Sequence, residues 1–429
     1  MAKEKSMVDL GIKGLIGLLA GVVCGFILMY LGGKETPWIA QLLVYLDCLG
    51  QIFLRLLKMI VVPLVFCCIT NAIIGLGEIA LLRSLGLKTF VYFFCTSCIF
   101  SFIGVMVTKL LKPGAAFTLE QFKNASFDGS SANFINAIID FFPDNIVKAA
   151  ANTSLLQIIV FCAFFGAAVL SLGERGKTVA NMLKETELAM FKIIGYVMIL
   201  LPYGVFCLIT YALAFYGPSV IGGLLIFIAC DWITVIIGIF TVHLLLLTFV
   251  GKVNFFKFIA NFKAALVVAV AGCSSTATLP IATAIAKERI GVPAKIADFV
   301  IPLGSTANMN GTAGFFSIIT VFTCQLMGVD LSIPQYVLLI VESCLLAISC
   351  STVPNTGIVI AITVLQSFGL PIEAIGLIVG VYKFCDMCHT PTNCLGDWVT
   401  ATCIASSDGV LDREVCVCSL GGGAMAKRS

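Results

Sequence analysis

Four polar residues near the C-terminal end of the chain repeat with the period of an α-helix. Asp386, Thr390, Asn393 and Asp397 are spaced i, i+4, i+7 and i+11, so a helix would present all four on one face. Their surroundings are largely apolar, and a carboxylate at membrane depth is costly unless it faces a cavity or a partner. An oxygen-rich face of this kind suits a monovalent cation or an ammonium group. We therefore favour a binding site for a small solute over a salt bridge or a helix cap.

The composition predicts a polytopic α-helical membrane protein. The chain has 429 residues, of which 60% are hydrophobic and 11% charged, whereas globular domains average about 25% charged residues. Apolar runs such as Gly11–Leu31 and Ser219–Val250 are long enough to cross a ~30 Å hydrocarbon core. The net charge of +3 gives no support for a nucleic-acid partner. The sequence has no Walker A, zinc-protease or Gly-x-Ser-x-Gly motif, so we expect neither an enzyme nor an ATP-driven pump.

The basic residues at the two ends predict the orientation of the chain. They lie at the start of the first apolar run and after the last one: Lys3, Lys5, Lys13, Arg413, Lys427 and Arg428. By the positive-inside rule both termini are then cytoplasmic, in a multi-pass protein of the plasma (cell inner) membrane. The first run has no clear small-residue cleavage site, so we interpret it as a retained helix rather than a signal peptide.

Small polar clusters interrupt the apolar runs of the second half. They are Gly272–Pro280, Gly304–Thr312, Ser349–Gly357 and Asp386–Asp397. Irregular backbone at membrane depth is tolerated only where protein encloses it or where it lines a cavity. Four such clusters indicate broken helices, which is where transporters place their substrate and ion sites. The first and third clusters resemble each other and could be the tips of two re-entrant hairpins.

Several other polar residues allow more than one interpretation. Asp231 and Glu342 are lone acids that could carry protons, but we expect them at helix ends, and we expect His243 to be a packing residue. Cys385, Cys388 and His389 match the C-x-x-C-H pattern of covalent haem attachment. A membrane electron-transfer protein is therefore a distant alternative. Most of the 19 cysteines lie in apolar runs and are expected to be small buried hydrophobes.

Motifs along most of the chain resemble the dicarboxylate/amino acid:cation symporters, the glutamate-transporter-homologue family. The stretch FLRLLKMIVVPLVF within Leu46–Phe66 looks like the second helix of that family, and Leu201–Phe206 resembles its fifth. Ser274–Pro280 is similar to its serine-rich first hairpin, and Asn308–Thr312 is close to its NMDGT signature. Asp386, Thr390, Asn393 and Asp397, called the polar stripe below, match the pattern of its eighth helix.

This resemblance implies an all-α membrane protein with eight transmembrane helices and two re-entrant hairpins, in a homotrimer. It also implies a transport domain that moves as an elevator against a fixed scaffold, with sodium as the coupled cation. By position, the domains would be scaffold at 1–78 and 112–214, transport domain at 79–111 and 215–406, and a cytoplasmic tail at 407–429.

The resemblance also implies a set of ligand residues. Asp386 would hold the substrate amino group and Asn393 its α-carboxylate. The full set of substrate contacts would be Cys273, Ser274, Ser275, Thr312, Val353, Gly357, Asp386, His389, Thr390 and Asn393. One sodium would use Gly304, Asn308, Asn393 and Asp397. A second would use Thr306, Ala347, Ile348 and Cys350, and a third Phe93, Thr96, Ser97, Asn308 and Asn310.

Two departures from the family pattern bear on substrate and coupling. Members that carry acidic substrates have an Arg where this chain has His389 or Cys273, and a neutral imidazole cannot reproduce a bidentate Arg–carboxylate pair. We therefore expect a neutral amino acid of the serine, threonine or alanine type. The alternative is an acidic amino acid or a dicarboxylate, with a protonated His389 in place of the Arg.

The second departure is Asn310, where the signature has Asp, beside Phe93 at a tyrosine-like position. We expect fewer coupled sodium ions than the acidic-substrate members use. Phe316 stands near the position of a proton-carrying acid in some relatives and offers no titratable group.

Overall fold

The computed structural model describes residues 2–77, 83–116, 142–152, 154–217, 219–348, 350, 356–416 and 418. Over these residues the chain is all-helical, with no β-strand. Some residues named in the sequence analysis lie outside these ranges: the hairpin residue Val353 and the basic residues Lys427 and Arg428.

The first half of the chain forms eight α-helices in the described ranges. They are α1 (Ala2–Tyr30), α2 (Pro37–Lys58), α3 (Val61–Gly77), α4 (Arg83–Leu111), α5 (Ile146–Ala151), α6 (Leu155–Ser171), α7 (Lys177–Met198) and α8 (Leu201–Tyr216). Short 3₁₀ turns cover Gly33–Glu35, Pro113–Ala116 and Gly173–Gly176.

The second half contributes the other helices. They are α9 (Ser219–Gly238), α10 (Phe255–Gly272), α11 (Ser275–Glu288), α12 (Ala294–Ala307), α13 (Asn310–Met327), α14 (Ile333–Ala347), α15 (Thr356–Ser367), α16 (Ala374–Ile378) and α17 (Tyr382–Ser407). Two π-helical segments, Ile239–His243 and Leu246–Gly251, continue α9.

Several helices are long and apolar enough to cross a bilayer. Three spans qualify within the described residues: Pro37–Leu56, Leu85–Ala115 and Val220–Gly251. A fourth is formed if Gly173–Met198 and Leu201–Phe215, which meet at a 53° bend, are counted as one. These helices expose many large apolar side chains, as a lipid-facing surface requires. The expected total of eight spans remains a prediction.

The helices pack in two groups. In the first half α1 and α2 pack on α8, and α3 packs on α6 and α7. In the second group α13 lies at the centre, with α4, α9, α14 and α17 around it. Nearly every residue of α13 is buried, because this apolar helix is covered on all sides.

Two of the four polar clusters interrupt a helix, as predicted. α10 ends where Cys273 adopts a left-handed conformation (φ 46°), and α11 begins two residues later and packs against α10. Asn308 and Met309 have non-helical backbone angles and separate α12 from α13. The third cluster lies largely outside the described residues.

The expectation of a break in the fourth cluster is wrong. α17 runs unbroken from Tyr382 to Ser407, through Asp386 and Asp397, although it contains Pro391. No glycine occurs between Asp386 and Leu395, so the segment lacks the residue that most readily leaves helical geometry. The helix therefore presents the polar stripe as one rigid face.

Candidate functional site

The polar stripe of α17 is buried inside the second helix group, against the break between α12 and α13. Asp386 is 8% exposed, and its Oδ1 accepts a hydrogen bond from the Thr390 hydroxyl at 3.2 Å. Its Oδ2 is buried and accepts no hydrogen bond from the described residues. Buried polar atoms are nearly always paired, so an unpaired carboxylate oxygen marks a place where a ligand or water belongs.

Asn393 joins α17 to the first turn of α13. Its Oδ1 accepts a hydrogen bond from the Gly311 backbone N–H at 2.8 Å. Its Nδ2 donates to Thr312 Oγ1 and to Met309 Sδ, both at 3.2 Å. The start of α13 and the middle of α17 are thereby fixed together, which brings the predicted substrate residues Thr312, Thr390 and Asn393 into one cluster with Asp386.

Asp397 lies about one turn after Asn393, where it meets the helix break. Asn308 donates from Nδ2 to Asp397 Oδ1 at 2.8 Å, while Asn308 Oδ1 is buried without a partner in the described structure. Gly304 packs directly against Asp397, and a Cβ atom at position 304 would collide with that carboxylate. The four residues predicted for the first sodium, Gly304, Asn308, Asn393 and Asp397, therefore do come together.

Asn310 lies in a second polar cluster behind this break. Its Oδ1 accepts hydrogen bonds from Ser97 at 2.8 Å and Thr96 at 3.1 Å. Its Nδ2 lies 3.3 Å from His243 Nε2 and donates to it in the neutral tautomer that leaves this nitrogen unprotonated. Of the residues predicted for a third sodium, the structure thus gathers Thr96, Ser97 and Asn310, whose polar side-chain atoms satisfy one another. Asn308 donates to Asp397 instead.

His243 is more than the packing residue that we expected. It lies in the π-helical segment that continues α9, a distortion that is frequent at functional sites. This segment brings the imidazole against Asn310, while the tilted Phe100 ring packs on it with the ring centroids 5.3 Å apart. Sequence periodicity does not reveal a π-turn, so the contact could not have been predicted.

The residues predicted for a second sodium are not brought to one point by any contact in the described ranges. Thr306 is exposed, and its hydroxyl donates to the Leu303 carbonyl. Thr306 and Ile348 both line an apolar cavity of about 450 Å³ that does not reach Asp386. The Cys350 backbone N–H donates to the Ala347 carbonyl. This second site remains a prediction.

Residues of both predicted hairpin regions lie close to the site. Cys273 is buried beside Asp386, while Ser274 precedes α11 and buried Ser275 lies in its first turn beside Cys394. Gly357 packs against Thr312, and so closely on the Tyr382 hydroxyl that a Cβ atom would collide with it.

Asp231 is not at a helix end, contrary to our expectation. It lies within α9, is 1% exposed, and its carboxylate is 2.8 Å from His389 Nε2. Cys388 Sγ lies 3.4 Å from the same carboxylate. Because no sequence spacing connects Asp231 with His389, the pair could not have been found from periodicity.

Lys383 belongs to the site rather than to a surface. It lies in the first turn of α17, half-buried, where its amino group interacts with the Asp386 carboxylate and with the Cys273 thiol. Its i, i+3 spacing from Asp386 was the available signal, since residues three apart share a helix face.

The packing of C-x-x-C-H argues against haem. Cys385, Cys388 and His389 are all buried within the helix group, and the imidazole Nε2 that would bind iron is held by Asp231. Attachment would require all three side chains to leave these positions, so we do not propose the electron-transfer alternative.

The fold and the site define an all-helical protein with membrane-spanning segments and an enclosed polar site at a helix break. The profile of the sodium:dicarboxylate symporter family matches residues 10–407. This chain belongs to that family.

Characterised relatives match over nearly the full length. A proton/sodium-glutamate symport protein of Bacillus caldotenax is 28% identical over 410 residues, covering 93% of this chain and 94% of the relative. A C4-dicarboxylate transport protein of Bradyrhizobium diazoefficiens is 28% identical over 94% of this chain and 90% of its own length. Another, of a Bradyrhizobium species, is 29% identical over 94% and 89%. The chain is thus a transporter of a symporter family and not an enzyme.

Proposed function

We propose that this protein is a sodium-coupled symporter that imports an acidic amino acid. The observation that carries this proposal is the carboxylate of Asp386, which is buried with a free Oδ2 beside Thr390 and Cys273. An ammonium group supplies both the charge and the hydrogen-bond donors that this oxygen lacks. A plain dicarboxylate has no such group, so Asp386 favours an amino acid over succinate.

The proposed side-chain preference departs from the neutral substrate expected from the sequence. The relatives described above are named for glutamate and C4-dicarboxylates, which carry two carboxylates each. A carboxylate in a buried site needs a cationic partner, because an unpaired buried charge is strongly unfavourable. Lys383 is the basic side chain that could provide it, once a substrate ammonium group takes its place at the Asp386 carboxylate.

A neutral amino acid is the second candidate, and the pairing of His389 with Asp231 favours it. If His389 is protonated, the Asp231 carboxylate at 2.8 Å offsets its charge. The imidazole then gives a second substrate carboxylate much less attraction than an unpaired Arg would. The acidic candidate therefore depends on Lys383, and a substrate such as serine would depend on neither.

Sodium coupling is proposed at Asp397. Its carboxylate, the free Oδ1 of Asn308 and the close approach of Gly304 give an oxygen-rich pocket of the kind that suits a hard cation. Asn393 connects this pocket to the substrate cluster, so an ion bound here would stabilise the substrate geometry.

The wider transport cycle follows the family pattern in this proposal. The first helix group would be the scaffold, at 1–78 and 112–214, and the second group with α4 the moving domain, at 79–111 and 215–406. The elevator motion, the two re-entrant hairpins, the homotrimer, the plasma membrane and the cytoplasmic termini are parts of the same proposal.

Uptake into proteoliposomes tests the function and the choice of substrate. We expect labelled aspartate to accumulate only with an inward sodium gradient, and glutamate to compete better than serine, alanine or succinate. Replacement Lys383→Met should weaken aspartate uptake by about tenfold or more, because a charge-assisted hydrogen bond is lost. Exposed Lys263 on α10 provides the matched control, Lys263→Met.

The alternatives give different results in this assay. Serine or alanine competing better than glutamate, with Lys383→Met unaffected, would establish the neutral candidate instead. Absence of sodium-dependent uptake for every amino acid in the panel would overturn the proposal.

A further inference from the structure

The Asp231–His389 pair joins two helices inside the moving helix group. Asp231 comes from α9 and His389 from α17, and both side chains are 1% exposed. His389 Nε2 lies 2.8 Å from the Asp231 carboxylate, so a hydrogen bond joins the two groups and already contains one proton. The ring packs on Phe315 at 5.2 Å and near Tyr382 at 6.3 Å, which fixes its orientation.

The number of protons on this pair decides its net charge. With two protons the pair is neutral overall, either as a carboxylate with an imidazolium or as a carboxylic acid with a neutral imidazole. With only one, the N–H of a neutral imidazole, the pair buries a full negative charge beside the carboxylate of Asp386, which interacts with this pair. An uncompensated buried charge is strongly destabilising. The second proton removes this uncompensated charge from the pair.

The free ring nitrogen indicates where a ligand would act. His389 Nδ1 is buried and has no hydrogen-bond partner in the described structure. In an imidazolium both ring nitrogens donate, so Nδ1 then needs an acceptor. A carboxylate of a bound substrate would supply that acceptor through a hydrogen bond that forms only when the second proton is present.

Other titratable or charged groups lie around the pair. On α17, the titratable or charged neighbours of the pair are Tyr382, Lys383, Cys385, Asp386 and Cys388. On α9, Cys230 precedes Asp231, and on the hairpin Cys273 lies against Asp386. α13 contributes Phe315, which has no proton to exchange. Asp386 itself is reserved for the substrate amino group in the proposed function.

We propose that the Asp231–His389 pair is a proton-binding site whose proton is transported together with the substrate. A proton from the external solution binds the pair when the site is open to that side, and it is released to the internal solution after the substrate leaves. Because substrate and proton stabilise each other, each raises the affinity for the other by the same factor. This inference rests on the proposed function and identifies its second coupled cation.

Proton movement in proteoliposomes tests the proposal directly. With a pH-sensitive dye inside and equal sodium on both sides, an acidic external solution should drive aspartate uptake. The addition of aspartate should also acidify the lumen. Replacement Asp231→Asn or His389→Gln should abolish both responses, whereas Asp231→Glu, which keeps the carboxylate, should retain them. The matched control is Glu342→Gln, because Glu342 is a buried carboxyl on α14 with no hydrogen-bond partner among the described residues.

The outcomes separate this proposal from the function on which it rests. Sodium-driven aspartate uptake without lumenal acidification in the unmodified protein would overturn the proton site alone. Loss of acidification in Glu342→Gln, with acidification retained in Asp231→Asn, would overturn it in favour of Glu342. Failure of all sodium-driven uptake would instead contradict the proposed function. The measurement on the unmodified protein decides the question even if every substitution at the pair prevents folding.

Discussion

The substrate cluster around Asp386 and the cluster around Asn310 are both buried and both polar, but they differ in how far their atoms are satisfied. Asn310 is engaged by Thr96, Ser97 and His243, which use its carbonyl oxygen and its amide nitrogen. In the described structure Asp386 keeps one carboxylate oxygen without a partner. The amide oxygen of Asn308, which lies beside Asp397, also has none.

This difference separates polar atoms that hold the fold together from polar atoms that await a ligand. A satisfied buried network stabilises one geometry, whereas an unpaired buried oxygen costs about 1–3 kcal/mol unless something binds to it. Among the described residues of the Asn310 cluster, His243 Nδ1 is the atom left without a partner, and when Nε2 accepts from Asn310 it is an N–H donor that does not bind a cation. The Asn310 cluster accordingly offers no unpaired oxygen to a cation, whereas the Asp386 and Asp397 ends of the stripe do. Asn308 and Asn310 therefore have different roles, although they are only two positions apart in the sequence.

The largest effect is expected from Asp386→Asn. The substitution keeps the shape of the side chain but removes the charge that pairs with the substrate ammonium group. Truncating one partner of a buried charged pair costs at least about 2 kcal/mol, so aspartate affinity should fall about 30-fold or more. Asp298→Asn is the matched control, since Asp298 is exposed and pairs with Lys287 on the surface.

Equilibrium binding of labelled aspartate to purified protein measures this loss. Near-equal affinities of Asp386→Asn and the unmodified protein would show that the free oxygen of Asp386 is not the ammonium site. The comparison between the two clusters would then have no functional meaning.

A smaller effect is expected from Gly304→Ala. The added Cβ would collide with the Asp397 carboxylate and displace it from Asn308. Misplacing a ligand of a cation site commonly costs about tenfold in affinity, so the sodium concentration for half-maximal uptake should rise by about that factor. Gly222→Ala on α9 is the control, because a Cβ there meets no atom within 4 Å. Equal sodium dependence of the two variants would contradict a cation site at Asp397.

The sequence predicted the parts of the site that lie along one element. The spacing of Asp386, Thr390, Asn393 and Asp397 was sufficient to place them on one face, because α17 is regular. The helix breaks at Cys273 and Asn308 were also predictable, since small and polar residues cluster there within apolar runs.

The parts of the site that depend on packing between elements were not predictable. Asp231 and His389 are 158 residues apart, and nothing in either segment indicates the other. His243 reaches Asn310 only because the end of α9 is π-helical, and an apolar sequence gives no sign of that. Lys383 could have been predicted only in part, because its i, i+3 spacing from Asp386 allows contact but does not exclude a surface position.

The ratio of sodium to substrate flux is the most direct test of the difference between the two clusters. The satisfied cluster at Asn310 should take no ion, so fluxes of labelled sodium and aspartate should give two sodium ions per substrate, one for each of the first two predicted sites. In Asn310→Asp a carboxylate would face Thr96 and Ser97, and the ratio and the sodium Hill coefficient should rise toward three. A ratio of three in the unmodified protein, or an unchanged ratio in Asn310→Asp, would contradict the assignment of this cluster to structure rather than to coupling.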